Sequence, residues 1–83
     1  MTRDKMTEEH GEELLFLSED FFDSAIIGIT YNSKVVYDMD LMIELFSENN
    51  DCDTDEAIEY LSFNTWSAYV GEQTPIFVRG KLA

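Results

Sequence analysis

Two runs of β-branched and other apolar residues lie close together in the first half of the chain. They span about residues 25–31 and 34–37, and Asn32 and Ser33 separate them. Short runs of this composition on either side of two turn-forming residues are typical of a β-hairpin. Serine tolerates a positive φ less well than glycine, so the turn signal is weaker than that of Asn-Gly. We predict two strands joined by a two-residue turn.

Two longer segments follow, and their apolar residues recur at helical spacing. The first segment, about residues 39–48, has an apolar stripe at i, i+3, i+4 and i+7 that comprises Met39, Met42, Ile43 and Phe46. The second segment, about residues 54–69, has an inner face that comprises Ala57, Ile58, Leu61, Thr65, Ala68 and Tyr69. We predict two helices in succession.

Residues suited to helix ends lie at both borders of these helices. Asp38 precedes the first helix and Asp53 precedes the second, and a carboxylate at this position caps free backbone N–H groups. Glu56 lies three residues after Asp53, which is the spacing of a capping box. Residues 49–50, Asn-Asn, end the first helix, and Gly71 suits the left-handed residue that follows the second.

A short strand at about residues 75–79 completes the pattern, and its first residue is Pro75, a position that proline tolerates. Two helices in a hairpin return the chain to the end of the sheet where the second strand finished. We therefore expect the last strand to run antiparallel to the second strand, either beside it or beside the first strand as a parallel neighbour. The predicted fold class is α+β: a β-hairpin, an αα-hairpin and a C-terminal strand (ββααβ), with the helices on one face of a small sheet.

The first strand is apolar on both faces, unlike a strand with one solvated face. We expect the apolar N-terminal segment, "LLFL" at 14–17 and "FF" at 21–22, to cover the second face of the sheet. The alternative is that a second copy of the chain covers this face. The spacing in this segment fits a short helix and also an extended segment. We predict a flexible acidic tail at residues 1–12 and a single α+β domain at 13–83.

The net charge argues against several classes of function. The 83 residues include 18 acidic and 5 basic side chains, for a net charge of −13. Such a chain repels nucleic acids and anionic membranes and attracts basic protein surfaces.

Cys52 is the only cysteine, so no internal disulfide forms, and the N-terminal residues lack the apolar core of a signal peptide. We predict a cytoplasmic protein that contacts neither nucleic acid nor membrane.

The acidic stretch between the helices matches a calcium loop only in part. Counted from Asp51, such a loop needs glycine at position 6 and glutamate at position 12, where this chain has Glu56 and Ser62. Helix capping explains the same acids. Cys52 lies between two acids, which raise the pKa of a thiol, and the only histidine, His10, falls in the tail. We predict no metal site, no cofactor, no catalytic residue and no enzymatic activity.

The strongest pattern is a run of charge of one sign, because residues 35–78 contain no lysine or arginine. Ordinary surface helices mix both signs and gain from i,i+4 pairs, and solubility needs only a handful of net charges.

Tyr60, Phe63 and Trp66 cannot all face inward on one helix, so at least one aromatic ring is expected at the surface, as a rim of the core or as an interface anchor. The predicted partner-binding residues are Asp38, Asp40, Glu44, Glu48, Asp51, Asp53, Asp55, Glu56, Glu59 and Trp66.

Several short segments resemble a set of small, uncharacterised proteins encoded by bacteriophages. The shared pattern is F-D-x-A-I-x-G, V-Y-D, E-A-x-E-(Y/F), an asparagine ahead of a small-aromatic-x-G turn, and T-P-x-F. In this chain these motifs occupy residues 22–28, 36–38, 56–60, 64 with 68–71, and 74–77. The resemblance covers about residues 21–79 and implies no activity. It implies a phage origin, and small acidic phage proteins often resemble inhibitors of host enzymes or defence systems.

These patterns together predict a non-enzymatic, phage-encoded inhibitor in the cytoplasm of the host. Its expected partner is a host protein with a basic, nucleic-acid-binding surface, which the acidic helices engage, in the sharper form of the hypothesis as a DNA mimic. The alternative is a structural accessory protein that self-associates as a homodimer through the exposed sheet face or edge.

Overall fold

The strands and helices follow one another in the predicted order. The computed structural model describes residues 14–68 and 71–79. The elements are a 3₁₀ helix (Asp20–Ala25), strands β1 (Ile26–Ile29) and β2 (Val35–Asp38), helices α1 (Met39–Asn50) and α2 (Thr54–Asn64), and strand β3 (Ile76–Val78). The ββααβ order and the small α+β fold are confirmed. The tail predicted at residues 1–12 lies outside the described residues.

The hairpin of β1 and β2 is confirmed, but its turn is longer than predicted. The Thr30 amide donates to the Lys34 carbonyl oxygen at 2.8 Å, and the Ser33 amide donates to the Thr30 carbonyl oxygen at 3.0 Å. These bonds close a loop of Tyr31, Asn32 and Ser33, in which Ser33 has a φ of 64°. A hairpin loop of this length places its last residue in the left-handed region. The prediction of a two-residue turn is therefore wrong.

The last strand lies beside β2, but the two strands are parallel. Val36 pairs with Ile76 and Asp38 with Val78, and the strand order is β1-β2-β3. The expected antiparallel orientation is therefore wrong. Residues 65–75 join α2 to β3, and an extended chain of this length reaches up to about 36 Å, against about 10 Å for β3 itself. The connection is long enough to bring the chain back to the other end of the sheet before β3 begins.

Helix α2 begins at the predicted position but ends at Asn64 rather than at residue 69. The Thr65 and Trp66 amides both donate to the Leu61 carbonyl oxygen, at 3.0 and 2.7 Å, and this closes the last turn. Trp66 then packs against the core, and its indole Nε1 donates to Met42 Sδ at 3.5 Å. Packing of the indole replaces a further helical turn, and the early end lengthens the connection to β3.

Part of the predicted inner face of α2 is correct, since Ala57 and Leu61 are fully buried. The rest departs from the prediction: Ile58 and Ala68 are exposed, Thr65 is half-buried, and Tyr69 lies outside the described residues. Gly71 has the positive φ that its position was expected to need, 113°, but it opens a later turn instead of following the helix.

One core fills the space between the sheet and the helices. Its buried members are Leu14, Phe22, Ala25, Ile26, Val35, Tyr37, Met42, Ile43, Ala57 and Leu61. The N-terminal segment belongs to this core, because Leu14 and Phe22 are members and the Leu17 amide donates to Tyr37 Oη at 3.0 Å. The expectation that this segment covers the second face of the sheet is therefore wrong. Residues 15–19 of this segment line a depression together with Phe77 and the end of α2.

The second face of the sheet remains apolar. Val36, Ile76 and Val78 are half-buried and lie outside the core. Ile27, which is 48% exposed, lies in β1 at a register shift between Ile26 and Gly28. Val36 and Ile76 are register partners, so their side chains lie side by side on that face.

Candidate functional site

Two of the predicted partner-binding acids cap the helices. Asp38 is only 7% exposed, and its Oδ1 accepts from the Asp40 amide at 2.9 Å and from the Leu41 amide at 3.2 Å. The Asp53 Oδ1 accepts from the Glu56 amide at 2.8 Å. Both predicted N-caps are confirmed. Asp38 stabilises the start of α1 and offers little surface to a partner, whereas Asp53 is exposed.

The outer side of α1 carries acids at intervals of one turn. Glu44 and Glu48 are exposed, and Asp40, one turn before Glu44, is half-buried. Asp40 Oδ1 lies 3.8 Å from Arg79 Nη1, and the Arg79 side chain is 66% exposed. An ion pair this long and this exposed contributes about 0–1 kcal/mol. Most of the negative charge along α1 therefore faces solvent.

The outer side of α2 is acidic as well, since Asp55, Glu56 and Glu59 are all exposed. Both helices bury their inner sides in the same core, so their outer sides point away from that core. Asp51 is exposed in the turn between them, where it ends α1 with a left-handed φ of 51°. We call the following set the acidic helical face: Asp40, Glu44, Glu48, Asp51, Asp53, Asp55, Glu56 and Glu59.

An aromatic residue lies within the acidic helical face. Phe63 is 79% exposed and follows Glu59 by one helical turn. A depression of about 310 Å³ beside it is lined by Glu56, Glu59, Tyr60, Phe63 and Asn64. Tyr60 is 43% exposed, and its ring stacks on that of Phe46 with centroids 4.6 Å apart. The expected surface aromatic is thus confirmed, with Phe63 as its clearest case.

Trp66, the aromatic residue included among the predicted partner-binding residues, is placed differently. It is half-buried, packs against the core and donates its indole N–H to Met42 Sδ. This placement suits the rim of the core. The sequence carried a signal for Phe63 instead, because Phe63 follows the buried Leu61 by two residues, about 200° around the helix.

A second depression lies next to the first. It has a volume of about 340 Å³ and opens between the N-terminal segment, the end of α2 and the start of β3. Phe16, Pro75 and Phe77 supply apolar walls, and Tyr60 and Asn64 line both depressions. This volume is at the low end of the range for small-molecule sites, about 300–1,000 Å³.

The chemistry of Cys52 is consistent with an inert thiol. Its side chain is half-buried, and burial together with the carboxylates of Glu56, Asp53 and Asp51 raises the pKa of the thiol above its ordinary value. A raised pKa lowers the thiolate fraction at neutral pH, and the thiolate is the reactive species. The expected direction of the pKa shift is present, and burial contributes more to it than the neighbouring acids do.

Within residues 14–68 and 71–79, no group of three or more His, Cys, Asp or Glu side chains is arranged to hold a metal ion. Asp51 terminates α1, and Asp55 and Glu56 already belong to α2, so these acids do not converge. In the same part of the chain, neither helix has the length and apolar character needed to cross a membrane.

Comparisons of the chain with protein-family models, with curated proteins and with solved structures found no match. The resemblance to phage-encoded proteins therefore stays a prediction.

Proposed function

We propose that this chain is a non-enzymatic binding protein whose acidic helical face engages a basic surface of another protein. One observation carries the proposal: Glu44, Glu48, Asp51, Asp53, Asp55, Glu56 and Glu59 are all exposed, and residues 35–78 contain no lysine or arginine to balance them.

The arrangement of these acids works against the stability of the isolated chain. Asp40, Glu44 and Glu48 form like-charge i,i+4 pairs along α1, and Asp55 and Glu59 form another along α2. Each such pair costs about 0.2–0.5 kcal/mol. Binding to a basic partner replaces this repulsion with attraction. The negative electrostatic field of these acids also raises the rate of association with such a partner, by about 10- to 1,000-fold at low salt.

Charge density bears on the kind of partner. The acids Asp40, Glu44, Glu48, Asp55, Glu56 and Glu59 lie on two helices, of which α1 is about 18 Å long. When the two helices are taken side by side, six charges share about 18 Å of axis, or roughly 3 Å per charge. Duplex DNA carries one charge per about 1.7 Å of its axis. We therefore place a basic protein surface first. Inhibition of a host protein by occupying its nucleic-acid groove, as a phage-encoded DNA mimic, is the narrower form of the proposal.

A matched pair of charge reversals tests the proposal. We expect Glu44→Lys with Glu59→Lys to abolish capture of partners from a host lysate at low salt, because both acids lie on the acidic helical face. Glu72→Lys with Asp20→Lys makes the same change in net charge outside α1 and α2 and outside both depressions, so this variant should still capture partners. Equal loss in both variants would show that net charge alone is responsible. Capture that does not weaken at about 1 M salt, where the Debye length is about 3 Å, would contradict an electrostatic interface.

Nucleic-acid competition tests the narrower form. Once a partner has been captured, added duplex DNA should displace it from the chain if the partner's nucleic-acid groove is the occupied surface. Binding of the partner to DNA and to this chain at the same time would refute mimicry and leave the broader proposal standing.

The apolar second face of the sheet supports a second candidate function, self-association as a homodimer. Val36, Ile76 and Val78 lie there outside the core, and β1 and β3 are both edge strands. A dimer closed over this face would bury Val36, Ile76 and Val78 and leave the acidic helical face outward. Sedimentation velocity at micromolar concentration tests it: a monomer refutes the dimer, and a dimer that Val36→Lys dissociates supports it.

A further inference from the structure

We propose that Phe63 is the point on the acidic helical face at which an arginine side chain of the partner stacks. The partner would then present an arginine-bearing segment, and positive charge alone would not suffice. This inference rests on the proposed function and names the chemistry of the partner.

The exposure of the Phe63 ring is the first reason. The inner side of α2 is defined by the buried Ala57 and Leu61, and Phe63 projects on the opposite side at 79% exposure. A ring so exposed contributes little to the core, because little of its apolar surface leaves water on folding. Its face is open to a cation, which is attracted when it lies within about 6 Å of the ring centroid.

The neighbours of the ring supply charge for the same cation. Glu59 lies one turn before Phe63, and residues four apart on a helix have Cβ atoms about 5–6 Å apart. Glu56 lines the same depression of about 310 Å³. A planar guanidinium can stack on the ring and donate N–H groups to a carboxylate in one pose. A lysine ammonium is compact and strongly hydrated and lacks this combination.

The wall of the depression is held in place by its own contacts. The Tyr60 ring stacks on Phe46 with an interplanar angle of 23°, which ties α2 to α1 at this point. Asn64 Nδ2 donates to the Tyr60 carbonyl oxygen at 3.0 Å. Binding there would require ordering chiefly of Phe63 and the two glutamates, and a prearranged wall reduces the entropy lost on association.

Charge decides the occupant. An apolar segment over Phe63 would have to remove Glu56 and Glu59 from water without pairing them, which is costly. A nucleic acid would be repelled by the same acids. An arginine-bearing segment pairs both carboxylates and uses the ring, so it is the occupant that fits every group of the depression.

The test compares two peptides of equal charge, octa-arginine and octa-lysine, each labelled with a fluorophore. Their affinities for the full chain are measured by fluorescence anisotropy at about 50 mM salt, where exposed charges are only moderately screened. We expect octa-arginine to bind more tightly, and we expect Phe63→Leu to reduce the ratio of the two affinities by about three-fold. Leucine keeps an apolar side chain and removes the ring, and the exposure of Phe63 means that the variant retains its fold by circular dichroism.

Tyr31→Leu is the matched control, because Tyr31 is also a fully exposed aromatic ring but lies in the hairpin loop, away from the helices. In Tyr31→Leu, the ratio of octa-arginine to octa-lysine affinity should equal that of the unmodified chain. This inference is overturned if Phe63→Leu leaves the ratio of octa-arginine to octa-lysine affinity unchanged, or if Tyr31→Leu lowers that ratio as much. The proposed function would stand in either case. If neither peptide binds the unmodified chain, the proposed function itself fails.

Discussion

Reversing the charge of Glu44 should stabilise the isolated chain while weakening its acidic face. Glu44 is exposed near the middle of α1, with Asp40 one turn before it and Glu48 one turn after it. In Glu44→Lys, two like-charge i,i+4 pairs become two opposite-charge pairs. Both the repulsion removed and the attraction gained amount to about 0.2–0.5 kcal/mol per pair.

Summed over the two pairs, the expected gain in the free energy of unfolding is about 0.8–2 kcal/mol. Two features of the structure lower this value. Arg79 already lies 3.8 Å from Asp40, so the new lysine would share that carboxylate and feel the guanidinium. The lysine also precedes Glu48, which is the weaker orientation of a helical ion pair. We therefore expect a gain of about 1 kcal/mol in the free energy of unfolding. For a domain of this size that corresponds to a rise in Tm of about 4–8 °C.

Thermal unfolding followed by circular dichroism measures this gain, at about 50 mM and about 1 M salt. Glu44→Gln should give about half of it, because it removes the repulsion without adding attraction. Glu72→Lys changes the net charge equally but lies outside both helices, so it should give less. At 1 M salt, with a Debye length of about 3 Å, the gain should nearly vanish. The reasoning is refuted if Glu44→Lys is no more stable than Glu72→Lys at low salt, or if its gain persists at high salt.

Three further predictions concern local features. Ser33→Gly should raise the free energy of unfolding by about 0.5–1 kcal/mol in urea titrations, because a left-handed φ of 64° is unfavourable for serine and glycine loses only part of that gain to entropy; no gain would contradict a strained loop. Asp38→Ala should lower it by about 1–2 kcal/mol and Asp38→Asn by much less, since asparagine still accepts from the α1 amides; equal losses would mean that capping is not the cause. Cys52 should be alkylated at pH 8 more slowly in the folded chain than in urea, since its raised pKa reduces the thiolate, and Glu56→Gln should accelerate the folded reaction; equal folded and unfolded rates would contradict the shift.

Features that depend on a few neighbouring residues were predicted well. Asp38 and Asp53 cap the helices as expected because a cap is an interaction between a side chain and amides two or three residues away. The β-branched composition predicts the hairpin but does not predict the length of its loop. That length depends on which cross-strand bond closes the loop, and here Thr30 pairs with Lys34.

The candidate site shows the same division. Its acids are evident from the sequence, and so is the absence of bases between residues 35 and 78. The aromatic residue is the exception, because a helix that continues to residue 69 places Trp66 on its outer side. The helix ends at Asn64, so Trp66 leaves the helix and packs against the core, and Phe63 is the ring that stays exposed.

The sequence by itself determined the order of the elements, the starts of both helices and the sign of the surface, because these follow from local hydrogen bonds, periodicity and composition. Only the tertiary structure decided the end of α2, the orientation of β3 and the place of the N-terminal segment. Each of these depends on contacts between residues far apart in the chain: Trp66 with Met42, Ile76 with Val36, and Leu17 with Tyr37. Local propensity carries no information about such contacts, because they form only when distant segments compete for the same core.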